Sequence, residues 1–230
     1  MGGLDSQPRN AIDVGANVGQ TLENFVSWWP HLQCLSIEPI PEAFSALKDT
    51  AMNLGQRAEV INKGVGSKSG SMKLHVSRTQ TTNSSFHKFN KAAETLGAHR
   101  GLRNSPSFLE LDDEDQYEID VEVETLDQIL GSYVLLTAKS YKEIGLDVLK
   151  IDTQGWELEV LKGATEVLKN TRVVITEWQF DDVYGKPPPL HSLDKVFSDQ
   201  GFQFWDISHV YKDLKSMRTL WVDLVYARPK

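Results

Sequence analysis

Short apolar runs ending in glycine or an acid alternate along this chain with stretches whose apolar positions recur every three to four residues. That is the pattern of buried strands alternating with amphipathic helices. Ala11-Ile12-Asp13-Val14 reads as a strand closed by Gly15. Residues 20–29 predict a helix with Leu22, Phe25, Val26 and Trp29 on one face, stopped by Pro30. A second strand is expected over 32–37. Pro41 then opens a helix carrying Phe44, Leu47 and Ala51, and a third strand covers 58–61.

Residues 71–77 alternate around Met72, Leu74 and Val76, as a half-buried strand does. From 78 to 116 periodicity is lost and Thr, Asn, Ser, Gly and Asp gather. This stretch reads as an insertion with at most one helix, near 89–96, and its length points to a mobile lid over a substrate. Alternation resumes over 117–123, and Thr125 is placed to cap a helix over Leu126, Ile129 and Leu130. A strand over 147–151 runs into Asp152. A helix over 157–168 follows, then a strand over 173–176 that runs into Glu177-Trp178. After the rigid loop 185–189 come a helix over 192–199 and closing strands over 202–207 and 220–227. Such alternation predicts an α/β fold, a mainly parallel sheet with helices on both faces. With no internal repeat and no linker, residues 1–230 are expected to form a single domain in which 78–116 is the insertion.

Composition narrows the class. A chain of 230 residues, 40% hydrophobic, buries a core without staples. The lone Cys34 excludes an internal disulfide framework and suits a reducing compartment. Residues 1–10 are short and polar, without the apolar stretch of a signal peptide, so a cytoplasmic location is expected. The formal charge of -8 gives no general attraction to nucleic acid or an anionic membrane, and no apolar run reaches the roughly 18 residues of a membrane span. Neither partner is expected, and oligomeric state is not legible.

Ligands in such sheets gather beyond the carboxyl ends of the strands. There, Asp13-Val-Gly-Ala-Asn-Val-Gly19 offers a tight turn at Gly15, close approach at Gly19 and backbone N–H groups for a carboxylate or phosphate. Its glycines are four apart with Asn17 between them, unlike a dinucleotide loop, and Asp13 suits a cationic amine. Glu38 ends the second strand, where an acid accepts hydrogen bonds from ribose hydroxyls. Together these two features indicate an adenosyl ligand. Asp152 closes an apolar strand and needs a partner. Glu157, after Gly155, sits in a first helical turn, where interaction with the helix dipole is an equal explanation. Glu177 can face Asp152 across neighbouring strand ends, and two facing carboxylates raise one pKa or hold a divalent cation. Two acids do not make a coordination shell, so no metal site is assigned. His87 is a further candidate base. Trp156 and Trp178 can offer a flat face to a substrate, although packing is the better reading for Trp156. The other histidines lack ligand spacing with one another.

In this order, Asp-Val-Gly-Ala-Asn-Val-Gly at 13–19, Glu-Pro-x-Pro-x-x-Phe at 38–44 and Leu-Lys-Ile-Asp at 149–152 resemble the FkbM family of S-adenosylmethionine-dependent methyltransferases. So do Asn-Lys-Gly-Val-Gly at 62–66, Asn-Ser-Ser at 83–85, Glu-Thr-Leu-Asp at 124–127 and Glu-x-Leu-Lys-Gly-Ala at 159–164. The resemblance implies a Rossmann-like class I methyltransferase, with a seven-stranded, mostly parallel sheet and the insertion before strand four. It implies S-adenosylmethionine (SAM) as cofactor, and as acceptor a hydroxyl on a sugar, glycan or small-molecule metabolite. With that cofactor in view, the turn and strand-end residues Asp13, Gly15, Asn17, Val18, Gly19, Glu38, Pro39, Gly64 and Asp152 are expected to bind it, and placement at neighbouring strand ends puts the chemistry on Asp152 and Glu177. After Asp152 the family commonly has Val-Glu-Gly, whereas this chain has Thr153-Gln154-Gly155. Gln154 can hydrogen-bond but cannot act as a base. That departure is what favours the alternative of a non-catalytic, methyltransferase-like binding domain. A nicotinamide-dependent oxidoreductase, the other alternative, is disfavoured by the glycine spacing.

Overall fold

The computed structural model describes residues 7–78, 81–88, 116–132, 145–180, 189–212 and 217–229. Its main sheet has seven strands: β1 (Asn10–Val14), β2 (Gln33–Ile37), β3 (Ala58–Ile61), β7 (Leu146–Ile151), β8 (Thr171–Gln179), β9 (Gln203–Lys212) and β10 (Thr219–Ala227). Their spatial order is β3-β2-β1-β7-β8-β10-β9. Pairing is parallel from β3 through β8, and β10 runs antiparallel to both its neighbours. This is the expected mostly parallel sheet, with its topological switch between β1 and β7, where such folds bind ligands.

Alternation along β1 and β2 feeds two cores. Ala11, Cys34 and Val148 pack with Leu22, Phe25 and Val26 of α1 (Gln20–Trp28) and Leu47 of α2 (Pro41–Leu54). Ile12, Val14, Leu35 and Ile37 belong to the opposite core. It holds side chains of α3 (Leu126–Ser132), α4 (Glu157–Lys162), α5 (Thr165–Lys169) and α6 (Leu190–Asp199). A separate sheet, ordered β4-β6-β5, joins β4 (Gly64–Val65), β5 (Gly70–Ser77) and β6 (Gln116–Glu124). Its inner side chains, Leu74, Val76, Val121 and Val123, cluster with Ile40 and Ala43 just beyond β2. The half-buried alternation of 71–77 and 117–123 is explained by this second layer.

Two differences from the sequence expectations have clear physical causes. The helix expected over 157–168 is broken at Gly163, where a Cβ would lie 2.0 Å from the Gly66 carbonyl oxygen. The Asp127 carboxylate then restarts the chain as α5, accepting from the N–H groups of Glu166 (3.0 Å) and Val167 (2.9 Å). The strand expected to end at 176 runs to Gln179 because β10 pairs with it as far as Trp221, so Glu177 lies within a strand. The closing strands are longer than expected, and β9 carries register shifts against β10. The helix near 89–96 and most of the 78–116 insertion lie outside the described residues. Among those described, no helix is long and apolar enough to cross a membrane.

Candidate active site

The turn after β1 is built by contact with the end of β7. Gly15 has φ 83°, and a Cβ there would stand 1.9 Å from the Asp152 carbonyl oxygen, so no other residue fits. The Asp152 N–H in turn donates to the Val14 carbonyl at 3.0 Å. The N–H groups of Gly15 and Ala16 both donate to the Ile37 carbonyl, at 3.0 and 3.1 Å, tying the turn to β2. Asn17 sits at φ 48° and donates its N–H to Glu38 Oε2 at 2.8 Å, while Glu38 Oε1 accepts from the Ile40 N–H at 2.9 Å. Burial pushes the Glu38 carboxyl up to about 7, although both amides pull it down.

A cavity of about 340 Å³ opens above these elements, walled in part by Gly15, Asn17, Glu38, Pro39, Gly64 and Asp152. Residues 81–86 cover it. Thr81 Oγ1 donates to Asn17 Oδ1 at 2.9 Å, and Ser85 Oγ donates to the Gln154 carbonyl at 2.7 Å. Backbone bonds in both directions fasten Ser85 to His75, so this start of the expected lid is anchored to β5. A Cβ on Gly64 would come within 2.7 Å of the Phe86 ring. Three expected contact residues stand back from the cavity, Asp13 among them, fully buried within β1. Val18 packs against the second sheet's cluster, and Gly19, at φ 104°, precedes α1 against Thr50 and Leu47.

Asp13 is fully buried, and neither carboxylate oxygen has a hydrogen-bond partner among the described residues. Burial holds it up at about 6, with Lys150 opposing and Asp152 adding to the rise. A buried acceptor without a donor carries a desolvation cost that a cation can offset. This suits the positively charged methionine end of SAM. The chamber beside Glu38 and the bare backbone at Gly15 suit its adenosine.

Beyond β7 the acids expected to act together are brought together. Asp152 Oδ2 accepts from Lys150 Nζ at 3.0 Å, and Oδ1 accepts from Gln154 Nε2 at 2.9 Å. Burial pushes the Asp152 carboxyl up, but the Lys150 charge and these bonds prevail and hold it below the usual range. Burial likewise opposes the Lys150 charge, yet Asp152 and Asp13 keep its pKa above the ordinary value. The sequence reading did not assign Lys150. Its signal was a lysine inside an apolar strand, in register with Asp13. Glu177 Oε1 accepts from Gln154 Nε2 at 3.2 Å and Gln179 Nε2 at 2.8 Å. Burial, then the charges of Asp152 and Glu157, hold the Glu177 carboxyl well above its usual range.

The other candidates have structural duties. Glu157 Oε1 accepts from the N–H groups of Thr153 (2.9 Å) and Gly155 (3.1 Å), closing the turn into α4. Burial raises it to about 7. His87 stacks edge-on against Trp156, ring centres 5.0 Å apart, and burial lowers its pKa. Trp178 is 6% exposed within the main core, so it packs and offers no face to a substrate. Trp156 lies against Phe86, 5.2 Å between centres. No group of three or more His, Cys, Asp or Glu placed to hold a metal occurs among the described residues.

The chain is similar to methyltransferase sdnD of Sordaria araneosa, 27% identical over 199 residues that make up 83% of this chain and 72% of that protein. It is also similar to 2-O-methyltransferase NoeI of Sinorhizobium fredii (strain NBRC 101917 / NGR234), 24% identical over 191 residues, 79% of this chain and 68% of that one. An O-methyltransferase family protein from Burkholderia thailandensis shares the fold, with a TM-score of 0.51 at 12% identity over 97% of this chain and 52% of its own. The model of the methyltransferase FkbM domain matches residues 13–204, a span that begins at the orphaned acid of β1 and takes in Glu38, Asp152 and Glu177. That match covers most of the chain, which belongs to the FkbM family of SAM-dependent methyltransferases.

Proposed function

We propose that this chain, as a single domain, transfers the methyl group of SAM to a hydroxyl of a sugar, glycan or small-molecule metabolite in the cytoplasm, with no nucleic-acid or membrane partner. Family membership sets aside the nicotinamide alternative. The observation that carries O-methylation is the hydrogen-bonded Asp152–Gln154–Glu177 cluster, in which Asp152 and Gln154 line the cavity and Glu177 stands behind them on β8. A hydroxyl must lose its proton as it is methylated, and a buried carboxylate within a hydrogen-bonded frame can take it. That the similar protein NoeI is a 2-O-methyltransferase agrees with this reading.

When bound, SAM supplies an electrophilic methyl group for in-line displacement, in which alignment provides much of the rate. Glu38 has a lone pair left on each oxygen beyond its two amide bonds, and these accept the ribose hydroxyls. Asp13 draws the positive methionine end. Gly15 and Gly64 keep side chains out of the chamber, Asn17 and Pro39 form its wall, and Val18 and Gly19 hold the turn in place. Asp152 and Glu177 together form the acidic group that meets the acceptor hydroxyl.

The test is transfer from methyl-labelled SAM to a panel of glycosides and polyhydroxylated metabolites, followed by mild alkali. An ether formed on a hydroxyl keeps its label, whereas a methyl ester loses it. Alkali-labile label, or label on nitrogen, overturns the hydroxyl assignment. No transfer across the panel together with tight SAH (S-adenosylhomocysteine) binding favours the non-catalytic alternative.

A further inference from the structure

Gln154 occupies a backbone region that side chains avoid, with φ 53°, and it does so among the acids of the proposed site. Its carbonyl is held by Ser85 Oγ at 2.7 Å, and its side-chain oxygen accepts from Gln179 Nε2 at 3.3 Å. Its Nε2 donates to Asp152 Oδ1 and Glu177 Oε1, at 2.9 and 3.2 Å. The strained peptide therefore aims one amide nitrogen between two carboxylates and is fastened there by the segment that covers the cavity.

An amide nitrogen only donates, so the two oxygens facing it must carry no proton. Asp152 has its other oxygen on the Lys150 ammonium. Both of its oxygens face donors, and it stands as a fixed anion. Glu177 Oε1 faces two amide donors, from Gln154 and Gln179. Its Oε2 accepts nothing from the described residues. We propose that Gln154 is a positioning residue that makes Oε2 of Glu177 the atom receiving the acceptor's proton, with Asp152 and Lys150 as a fixed ion pair beside it. This rests on the O-methyltransferase reading. The proton passes from the hydroxyl to Oε2, the freed oxygen pair forms the bond to the methyl carbon, and sulfur keeps the pair of the broken C–S bond. Solvent then takes the proton from Oε2.

The charged surroundings of Glu177 favour that role. Asp152 just after β7, Glu157 of α4 and Asp223 of β10 raise its proton affinity alongside burial. Lys150 lies against Asp152 and pulls Asp223 down, as does His209 of β9.

The experiment is a carboxyl-carbon NMR titration of the protein labelled with ¹³C at glutamate carboxyls, in the absence of cofactor. Glu177→Gln assigns the resonance by deleting it. In the wild type this carboxyl should titrate well above ordinary glutamates. Gln154→Glu sets a third carboxylate between the two acids and should move the midpoint up by about one unit or more. Gln154→Gly relieves the positive φ while removing the donor, and should also move it up, by less, because a hydrogen bond to the charged form is lost. A midpoint unmoved in both variants, or a Glu177 that titrates like an exposed glutamate, overturns the proposal. SAH titration of the wild type checks the underlying reading separately, since failure to bind would sink that reading whatever the carboxyl does.

Discussion

Glu38→Gln tests the cofactor site through its charge. The side chain is 4% exposed and accepts two backbone amides, yet burial lifts its carboxyl to about 7. Ribose hydroxyls donate to the ionised form, so ligand binding must select that form. With a free-state midpoint at about 7, roughly one Glu38 in eleven is ionised at pH 6 and ten in eleven at pH 8. SAH affinity should therefore rise about tenfold between those values and level off above them, with about half a proton released per ligand at pH 7. Asp13, held at about 6, adds a smaller change of the same sign. In Glu38→Gln only that smaller change remains. Loss of charge-assisted bonds worth about 1.5–3 kcal/mol should weaken binding at pH 8 roughly ten- to 150-fold. Calorimetry in two buffers of different ionisation enthalpy reads both affinity and proton release. A wild type whose affinity is flat across this range, or a folded Glu38→Gln that releases the same protons, refutes the reasoning.

Gly15→Ala should abolish SAH binding and lower the melting temperature, because its Cβ would meet the Asp152 carbonyl at 1.9 Å; an unchanged thermal shift with SAH contradicts this. Asp13, Glu38 and Glu157 have folded pKa values raised to about 6, 7 and 7, so the folded state binds more protons than the unfolded state between about pH 4 and 7. Their contribution is largest below pH 4 and is lost as pH rises through those values. Urea melts without ligand should show lower stability at pH 8 than at pH 5, with a smaller fall in Asp13→Asn, and a rise would contradict the burial argument. Asp152→Asn removes the ion-pair partner of the Lys150 cation in the cavity wall. It should weaken SAM, which carries a sulfonium, more than SAH, and lower turnover by about 10²–10³; equal effects on both ligands would remove Asp152 from the site.

The turn at Gly15 and Gly19 was legible because its backbone geometry demands glycine within a few residues. The strands β1, β2 and β7 were legible for a similar reason, since short, mostly apolar runs covered on both faces announce themselves. What depends on distant partners was not. The break at Gly163 is set by the Gly66 backbone and the Asp127 cap, more than thirty residues upstream. Glu177 was visible as an acid after an apolar run, but the extension of its strand comes from pairing with β10. Gln154 stood out in sequence only as a departure from the family pattern. Its positive φ is visible only in the folded chain, and its grip by Ser85 comes from the cover over the cavity. Lys150 was hidden because a lysine in a buried strand reads as an exception until Asp13 and Asp152 are found beside it.

The central claim, that the chamber between β1, β2 and 81–86 holds SAM, is tested most directly by titrating the wild-type protein with SAM, SAH and NAD in a calorimeter at pH 8. The account predicts one site that binds SAM and SAH and leaves NAD unbound. Binding of NAD, or of none of the three by a folded protein, would contradict it.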